Sequence, residues 1–340
     1  MSILEQEIAE QAEVLARRAE PGRTAASAAA GLLARHDVDH VVVAARGSSD
    51  NVARFAQYLL GRESRITVGL ATPSLFGDID AAPRLGRAAV VGISQSGRSP
   101  DIVAVLAAAR AQGRPAIAIT NDPGSPLAAE ADAVVPLLTG EERSVAATKT
   151  YLASLHAVVQ IQDALAPDPE RGRWLEALPG IVDELVVEAL AGRSRFDALA
   201  GVPLITVAGR GLSFAAACES ALKLRELTGT PAEAFSPPDL MHGPIAAVSD
   251  AGAVWAIADG ADGEMLAALL ARGGASVVVG TDERLLRAAR ISVALPAGVP
   301  DWLVSMLAVV PAQAAALRLA EARGVDVDSP HGLSKVTLTR

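Results

Sequence analysis

Short runs of β-branched and aliphatic residues recur along the chain, separated by longer Ala/Leu-rich stretches whose polar positions fall at helical spacing. This alternation predicts an α/β fold built on doubly wound parallel sheets. In the first half, His40–Ala45, Ala88–Ile93, Ala116–Thr120 and Ala133–Leu137 read as buried strands, with helices over Ser49–Leu60 and Pro100–Gln112. The second half repeats the order: strands over Leu204–Ala208, Ala253–Ala258, Ser276–Gly280 and Ile291–Leu295, with helices over Phe214–Leu227 and Gly263–Arg272. Placing Arg46-Gly47 on Arg210-Gly211 sets an offset of 164 residues, which brings Ser94 opposite Ala258, each at a strand end. Element order and one long spacing both recur, so two copies of one unit are expected. Around them stand an amphipathic helix near Ile3–Arg18 and two linking helices, Tyr151–Ala166 and Trp174–Leu190, divided by the turn Pro167-Asp168-Pro169. The expected division is an N-terminal helix over 1–30, sheet domains over 31–170 and 171–325, and a tail over 326–340 carrying Lys335.

Composition narrows the function classes. With 51% hydrophobic but only 3% aromatic residues, the core is built from Ala, Val, Leu and Ile, as helix-covered parallel sheets are. A net charge of -9 argues against a nucleic-acid or anionic-membrane surface, so small molecules are the expected partners. The single cysteine, Cys218, excludes an internal disulfide framework and suits a reducing cytoplasm, the expected location. Glu5, Glu7 and Glu10 stand where a signal peptide carries basic residues, so no export signal is expected. Mean hydropathy is +0.32, yet the uncharged stretch Trp302–Leu317 contains Ser305, Pro311 and Gln313 and reads as too short and broken to span a membrane.

In an open α/β sheet, ligands bind beyond the carboxyl ends of the strands. Ser94-Gln95-Ser96-Gly97 leaves one strand and, after Arg98-Ser99, enters a helix behind Pro100. Hydroxyls, a carboxamide and free N–H groups at a helix start form a phosphate cradle without any lysine, and Gly97 is expected to let the backbone approach the anion. Arg46-Gly47-Ser48-Ser49 occupies the equivalent turn after the first strand. Either loop alone reads as helix capping; two at matching strand ends point instead to one anion. Glu219, Lys223 and Glu226 fall on one helix face, either as a solvated ion-pair stripe or, given their place near a sheet edge, as a base with its support. His242 lies in the turn-rich Asp239-Leu240-Met241-His242-Gly243-Pro244, a setting for a general acid/base or for a structural histidine. No spacing suits a metal, and no cofactor is expected. Lys335, near the chain end, reads on its own as an ordinary tail lysine.

Taken in order, Arg46-Gly47-Ser48-Ser49, Ser94-Gln95-Ser96-Gly97, Val145-Ala146-Ala147-Thr148-Lys149-Thr150, the Glu219-to-Glu226 helix, Met241-His242-Gly243-Pro244 and the Asp326-to-Lys335 tail resemble the sugar isomerase (SIS) proteins with two tandem, flavodoxin-like domains. The resemblance is closest to the isomerase half of glucosamine-6-phosphate synthase and to stand-alone amino-sugar-phosphate deaminases. It implies that Ser49, Ser94, Gln95, Ser96 and Ser99 hold the sugar phosphate, with the backbone of Val145, Ala146 and Thr148 helping to hold the hydroxyls. It further implies Glu226 as the base moving the C2 proton, His242 as the ring opener, Lys335 as the lysine meeting the C2 carbonyl, and Glu219 with Lys223 as their supporting pair. A homodimer follows from the same resemblance, with His242 reaching into the neighbouring subunit's site.

Two features depart from the synthase. Its glutaminase domain, with an N-terminal cysteine nucleophile, has no counterpart here, so ammonia from glutamine is not expected; and Arg46 precedes the glycine where the synthase has a small or sulfur-bearing residue. The implied reaction is conversion of a hexosamine 6-phosphate, glucosamine 6-phosphate to fructose 6-phosphate plus ammonia. Alternatives are water elimination from N-acetylglucosamine 6-phosphate, as SIS etherases suggest, and a non-catalytic sugar-phosphate sensor. The sensor class carries a helix-turn-helix domain, whereas one acidic helix precedes His40 here.

Overall fold

The computed structural model describes residues 1–36, 38–330, 332, 334 and 335. Among the described residues are ten strands in two sheets: β1 (His40–Ala44), β2 (Thr67–Leu70), β3 (Ala88–Ile93), β4 (Ala116–Thr120) and β5 (Ala133–Pro136), then β6 (Ile205–Ala208), β7 (Ala232–Phe235), β8 (Ala253–Ala258), β9 (Ala275–Gly280) and β10 (Ile291–Ala294). The first sheet runs β2-β1-β3-β4-β5 and the second β7-β6-β8-β9-β10. Every pairing in both is parallel. This is the flavodoxin-like order twice over. The duplicated α/β reading therefore holds, with strand boundaries within one residue for the eight strands the pattern predicts.

The two strands the pattern does not predict, β2 and β7, form one edge of each sheet, while the opposite edges, β5 and β10, are among those it predicts. β2 and β7 have four residues each, of mixed exposure, and include Thr67, Gly69 and Glu233, so they lack the continuous apolar run that marks β3 or β8. The N-terminal helix also differs from expectation: Ile3–Ala9 and Gln11–Arg35 are separate helices, the second carrying Pro21 inside it.

The chain divides into two compact units. The first-sheet unit comprises Glu10–Glu142, Lys149–Ile181 and the tail from Ser334; the second-sheet unit comprises Met1–Ala9, Arg143–Thr148 and Val182–Leu333. In the first, β3 and β4 pack under Pro100–Ala111 through Val90, Ile102, Val105, Leu106 and Leu127. In the second, the corresponding cluster is Val254, Ala256, Leu266, Leu269 and Val278. Aliphatic side chains fill both, as the low aromatic content requires; Phe196 stacked on Trp255 at 5.5 Å is the one ring pair among the described residues.

Asp301–Leu307 and Val309–Ala322 form a nearly continuous helical run of 22 residues that contains an 18-residue stretch with a mean hydropathy of 1.7. It is therefore long enough to cross a bilayer, contrary to the sequence expectation, because Pro311 sits in the first turn of its helix where no intrahelical N–H is lost. What decides its place is burial: 94% of the apolar window is covered, and Ser305 donates a 2.7 Å bond to the Leu212 carbonyl. It is a core helix of the second-sheet unit.

Candidate functional site

Strand order sets the position of the cradle. β1 connects outward to β2 while β3 continues toward β4, so β1 and β3, paired from His40↔Ala88 to Ala44↔Gly92, form the switch point at which a crevice opens. The turn after β1 and the loop after β3 are thus neighbours. Arg46 ties them: its guanidinium meets Asp101, in the first turn of helix Pro100–Ala111, at 2.9 Å. Gly47 starts the adjacent helix with φ 54° and ψ -129°, a backbone that only glycine adopts without strain, and places Ser49 in the first turn.

Ser94 to Ser99 form the second side. The Ser94 hydroxyl accepts from Gly97 N–H at 3.1 Å, and the Ser96 hydroxyl accepts from Arg98 N–H at 3.3 Å. The Gln95 carbonyl accepts from Asn121 N–H at 3.1 Å and Thr120 Oγ1 at 3.3 Å. Ser99 is the N-cap residue, yet its side chain makes no capping bond, whereas Ser125 and Asp282 cap their helices. The plain capping reading therefore fails for Ser99. Gly97 has a different reason from the expected one. It holds φ +61°, and a Cβ there would sit 2.1 Å from Ser125 Oγ, so glycine is needed for packing against the β4 turn rather than for approach of an anion.

A cleft of about 610 Å³ beside this loop is lined by Gln95, Asn121, Gly140, Glu141 and Glu142 with Arg17 and Pro21. At its edge Lys335 Nζ lies 2.5 Å from Glu142 Oε2, and Thr150 donates to the same carboxylate through Oγ1 at 2.6 Å and N–H at 3.0 Å. Burial pushes the Glu142 carboxyl upward, but the Lys335 ammonium and the Thr150 bonds outweigh it, and the group is held below its usual value. Glu142 and Thr150 were not among the candidate site residues; the signals were the acidic pair Glu141-Glu142, three residues ahead of the Val145–Thr150 motif, and the place of Thr150 at that motif's end. In the tail, His331, Leu333 and residues 336–340 lie outside the described residues.

The second-sheet unit holds the remaining candidates. On helix Leu212–Thr228, Lys223 Nζ stands 2.6 Å from Glu226 Oε2 and 3.5 Å from Glu219 Oε1. Lys223 and Glu219 side chains are 1% and 0% exposed, against 26% for Glu226. The reading as a solvated stripe is overturned: this face of the helix is packed, and Glu226 alone of the three opens outward. His242 is exposed and ends the short helix Pro237–Met241, its N–H bonded to Asp239 O at 3.1 Å, with the left-handed Gly243 behind it. Ala146 and Thr148 are buried and Val145 half-buried, so this segment offers its backbone. Glu7 fixes its start, accepting from the Arg143 and Ser144 N–H groups at 2.6 and 3.1 Å and from the Ser144 hydroxyl. Among the described residues no group of three or more His, Cys, Asp or Glu is placed to hold a metal.

The SIS domain model matches residues 36–162 and 199–322. Glutamine–fructose-6-phosphate aminotransferase (isomerizing) from Mycolicibacterium paratuberculosis is 33% identical over 320 residues, covering 88% of this chain and 51% of that protein. The chain thus spans about half the length of the curated relatives it matches. Among solved structures, a candidate phosphosugar isomerase from Silicibacter pomeroyi superposes with a TM-score of 0.86 at 30% identity, covering 96% of this chain and 100% of that one. The C-terminal domain of glucosamine-fructose-6-phosphate aminotransferase from Francisella tularensis gives 0.83 at 25% identity, with 97% and 98% covered.

Proposed function

Since the chain belongs to the SIS domain family, with two repeats, we propose that it is an enzyme converting a hexosamine 6-phosphate, glucosamine 6-phosphate to fructose 6-phosphate with release of ammonia. The observation that carries this reading is the Glu219-Lys223-Glu226 cluster. A buried ammonium between two carboxylates, with one carboxylate left accessible, is the arrangement of an oriented base.

The order of steps follows from carbon acidity. The C2 proton becomes acidic beside an open-chain C1 aldehyde, so His242 opens the pyranose before Glu226 carries the proton from C2 to C1, which turns the C2 amine into an iminium. Lys335 adds to that C2 iminium, ammonia leaves as the lysine Schiff base forms, and water then releases the ketose and the free lysine. Its contact with Glu142 supports a tail lysine held in position. The Ser49 and Ser94–Ser99 loops bind the phosphate, whose binding energy orients the reacting carbons. Exposed His242 and Met241 support a homodimer in which the histidine serves the neighbouring subunit.

The deciding assay incubates the protein separately with glucosamine 6-phosphate and its N-acetyl derivative and follows products by NMR. Fructose 6-phosphate and ammonia in equal amounts from the free amine are expected. An unsaturated sugar without ammonia, from the N-acetyl substrate, would replace deamination by elimination; binding without product from either would remove the enzyme reading.

A further inference from the structure

Asn121 follows β4 and bonds in two directions. Its backbone N–H donates to the Gln95 carbonyl, inside the Ser94–Ser99 loop, at 3.1 Å. Its side chain engages the segment that follows β5: Oδ1 accepts from the Thr139 N–H at 2.9 Å, and Nδ2 donates to the Gly140 carbonyl at 2.7 Å. One residue thus ties the serine loop to the stretch 138–142. Although Asn121 lines the cleft, both polar atoms of its carboxamide serve that stretch, so contact with a substrate is not its main task.

The stretch is held against its own preference. Leu138 has φ +56° and Gly140 φ +68°; the left-handed region is ordinary for glycine, but a leucine stays there only where its neighbours over-determine the backbone. They do so here. Arg17 Nε donates to the Leu138 carbonyl at 3.0 Å, and Lys149 Nζ donates to the Glu141 carbonyl at 2.6 Å. Lys149 is 3% exposed and pairs with Glu10 at 2.6 Å, which makes its clamp a desolvated one. Residues 138 to 141 therefore each give one backbone group to a side chain of helix Gln11–Arg35, of the turn after β4, or of helix Lys149–Leu165.

The next residue is Glu142, whose buried carboxylate receives the two Thr150 bonds and the Lys335 ammonium. A carboxylate on a loose loop would follow the lysine wherever the tail carried it; a carboxylate on a clamped loop dictates where the lysine sits. Chemistry at C2 of a sugar anchored through its 6-phosphate requires a fixed separation between anchor and lysine, and an error of about 1 Å is costly.

We propose that Asn121 is a positioning residue: through the stretch 138–142 and Glu142, it fixes the seat of Lys335 relative to the Ser94–Ser99 loop. This rests on the reading of Lys335 as the lysine that adds at C2 and of that loop as the phosphate cradle.

The test reads the seat of Lys335 directly. The parent chain, Asn121→Ala, Asn121→Asp, Glu142→Gln and the double variant Asn121→Ala with Glu142→Gln are treated near neutral pH with an amine-reactive ester, and acylation of Lys335 is followed by mass spectrometry. Asn121→Ala is expected to speed acylation several-fold, and the double variant to react no faster than Glu142→Gln alone, because both changes act through one contact. Asn121→Asp keeps the acceptor for Thr139 and the side-chain size while losing the donor to Gly140, so it carries the test where Asn121→Ala does not fold. Its rate is expected between those of the parent and Glu142→Gln. With glucosamine 6-phosphate, Asn121→Ala is expected to lower kcat at least about tenfold and to change KM less than about twofold, since the backbone bond to Gln95 survives. A side chain that only supports folding would lower the melting temperature and leave acylation, measured well below melting, at the parent rate. The parent rate in whichever Asn121 variants fold, or accelerations that multiply in the double variant, would overturn the proposal. A parent chain that does not turn over glucosamine 6-phosphate would remove the reaction instead, and acylation would still decide the positioning.

Discussion

Glu226 and Glu142 show how burial assigns work to carboxylates. Glu226 keeps one side open while Lys223 holds it at 2.6 Å; Glu226→Gln keeps the shape and removes the base, so kcat is expected to fall about 10²–10⁴-fold with little change in phosphate affinity. Turnover measured on the purified variant checks this, and an unchanged kcat would take the proton transfer away from Glu226. Glu142 is closed, and its charge is spent on Lys335 and Thr150. Because its carboxyl is held below the ordinary 4.5, its contribution to stability and to docking of Lys335 is complete above that value and drains away as pH falls through the lower folded value. Acylation of Lys335 by an amine-reactive ester, read by mass spectrometry near neutral pH, is expected to be slow in the parent and several-fold faster in Glu142→Gln. Equal rates would mean that the clasp does not form in solution.

Among the elements, the loop between β3 and helix Pro100–Ala111 carries the sharpest local constraint. Gly97→Ala combines a left-handed backbone with a Cβ pressed against Ser125, so a loss of at least about 1–2 kcal/mol is expected by thermal melting. A neutral substitution would show that the loop relaxes. The Arg46–Asp101 pair is a weaker device: Arg46 is half exposed, and Arg46→Ala is expected to cost less than about 1 kcal/mol in denaturant unfolding.

For the whole molecule, the two copies have kept a frame and diverged in chemistry. Gly211 repeats the backbone of Gly47, with φ 58° and ψ -128°, and Arg210 repeats the ion pair of Arg46, meeting Asp262 at 2.5 Å. The cradle is not repeated. At the same offset of 164, Ser213 stands for Ser49 and Asp259 for Gln95, and the Ser213 hydroxyl donates to Asp259 at 2.7 Å. A carboxylate of the chain already takes that hydroxyl and repels an incoming dianion. Ser213→Ala is therefore expected to lower stability by about 1–3 kcal/mol without touching KM. Ser96→Ala is expected to raise KM by about ten- to a hundredfold, the equivalent of about 1.5–3 kcal/mol of charge-assisted bonding, with kcat little changed. The reverse outcome would place the phosphate in the second copy.

Strands and helices, both serine loops and the Glu219-to-Glu226 stripe were legible along the chain, since each rests on patterns spanning fewer than about twenty residues and burial follows periodicity at that range, and the duplication was legible because the same order of elements recurs at an offset of 164 residues. The strands β2 and β7 were not, because Thr67, Gly69 and Glu233 break the apolar run of their four-residue segments. Nor was the state of any charge. Whether Glu226 is open, Glu142 paired to a lysine 193 positions away, or Arg18 enclosed without an acceptor among the described residues depends on which distant segments fold against it. Desolvation and Coulomb energy follow distance in space, and only the tertiary structure sets that distance.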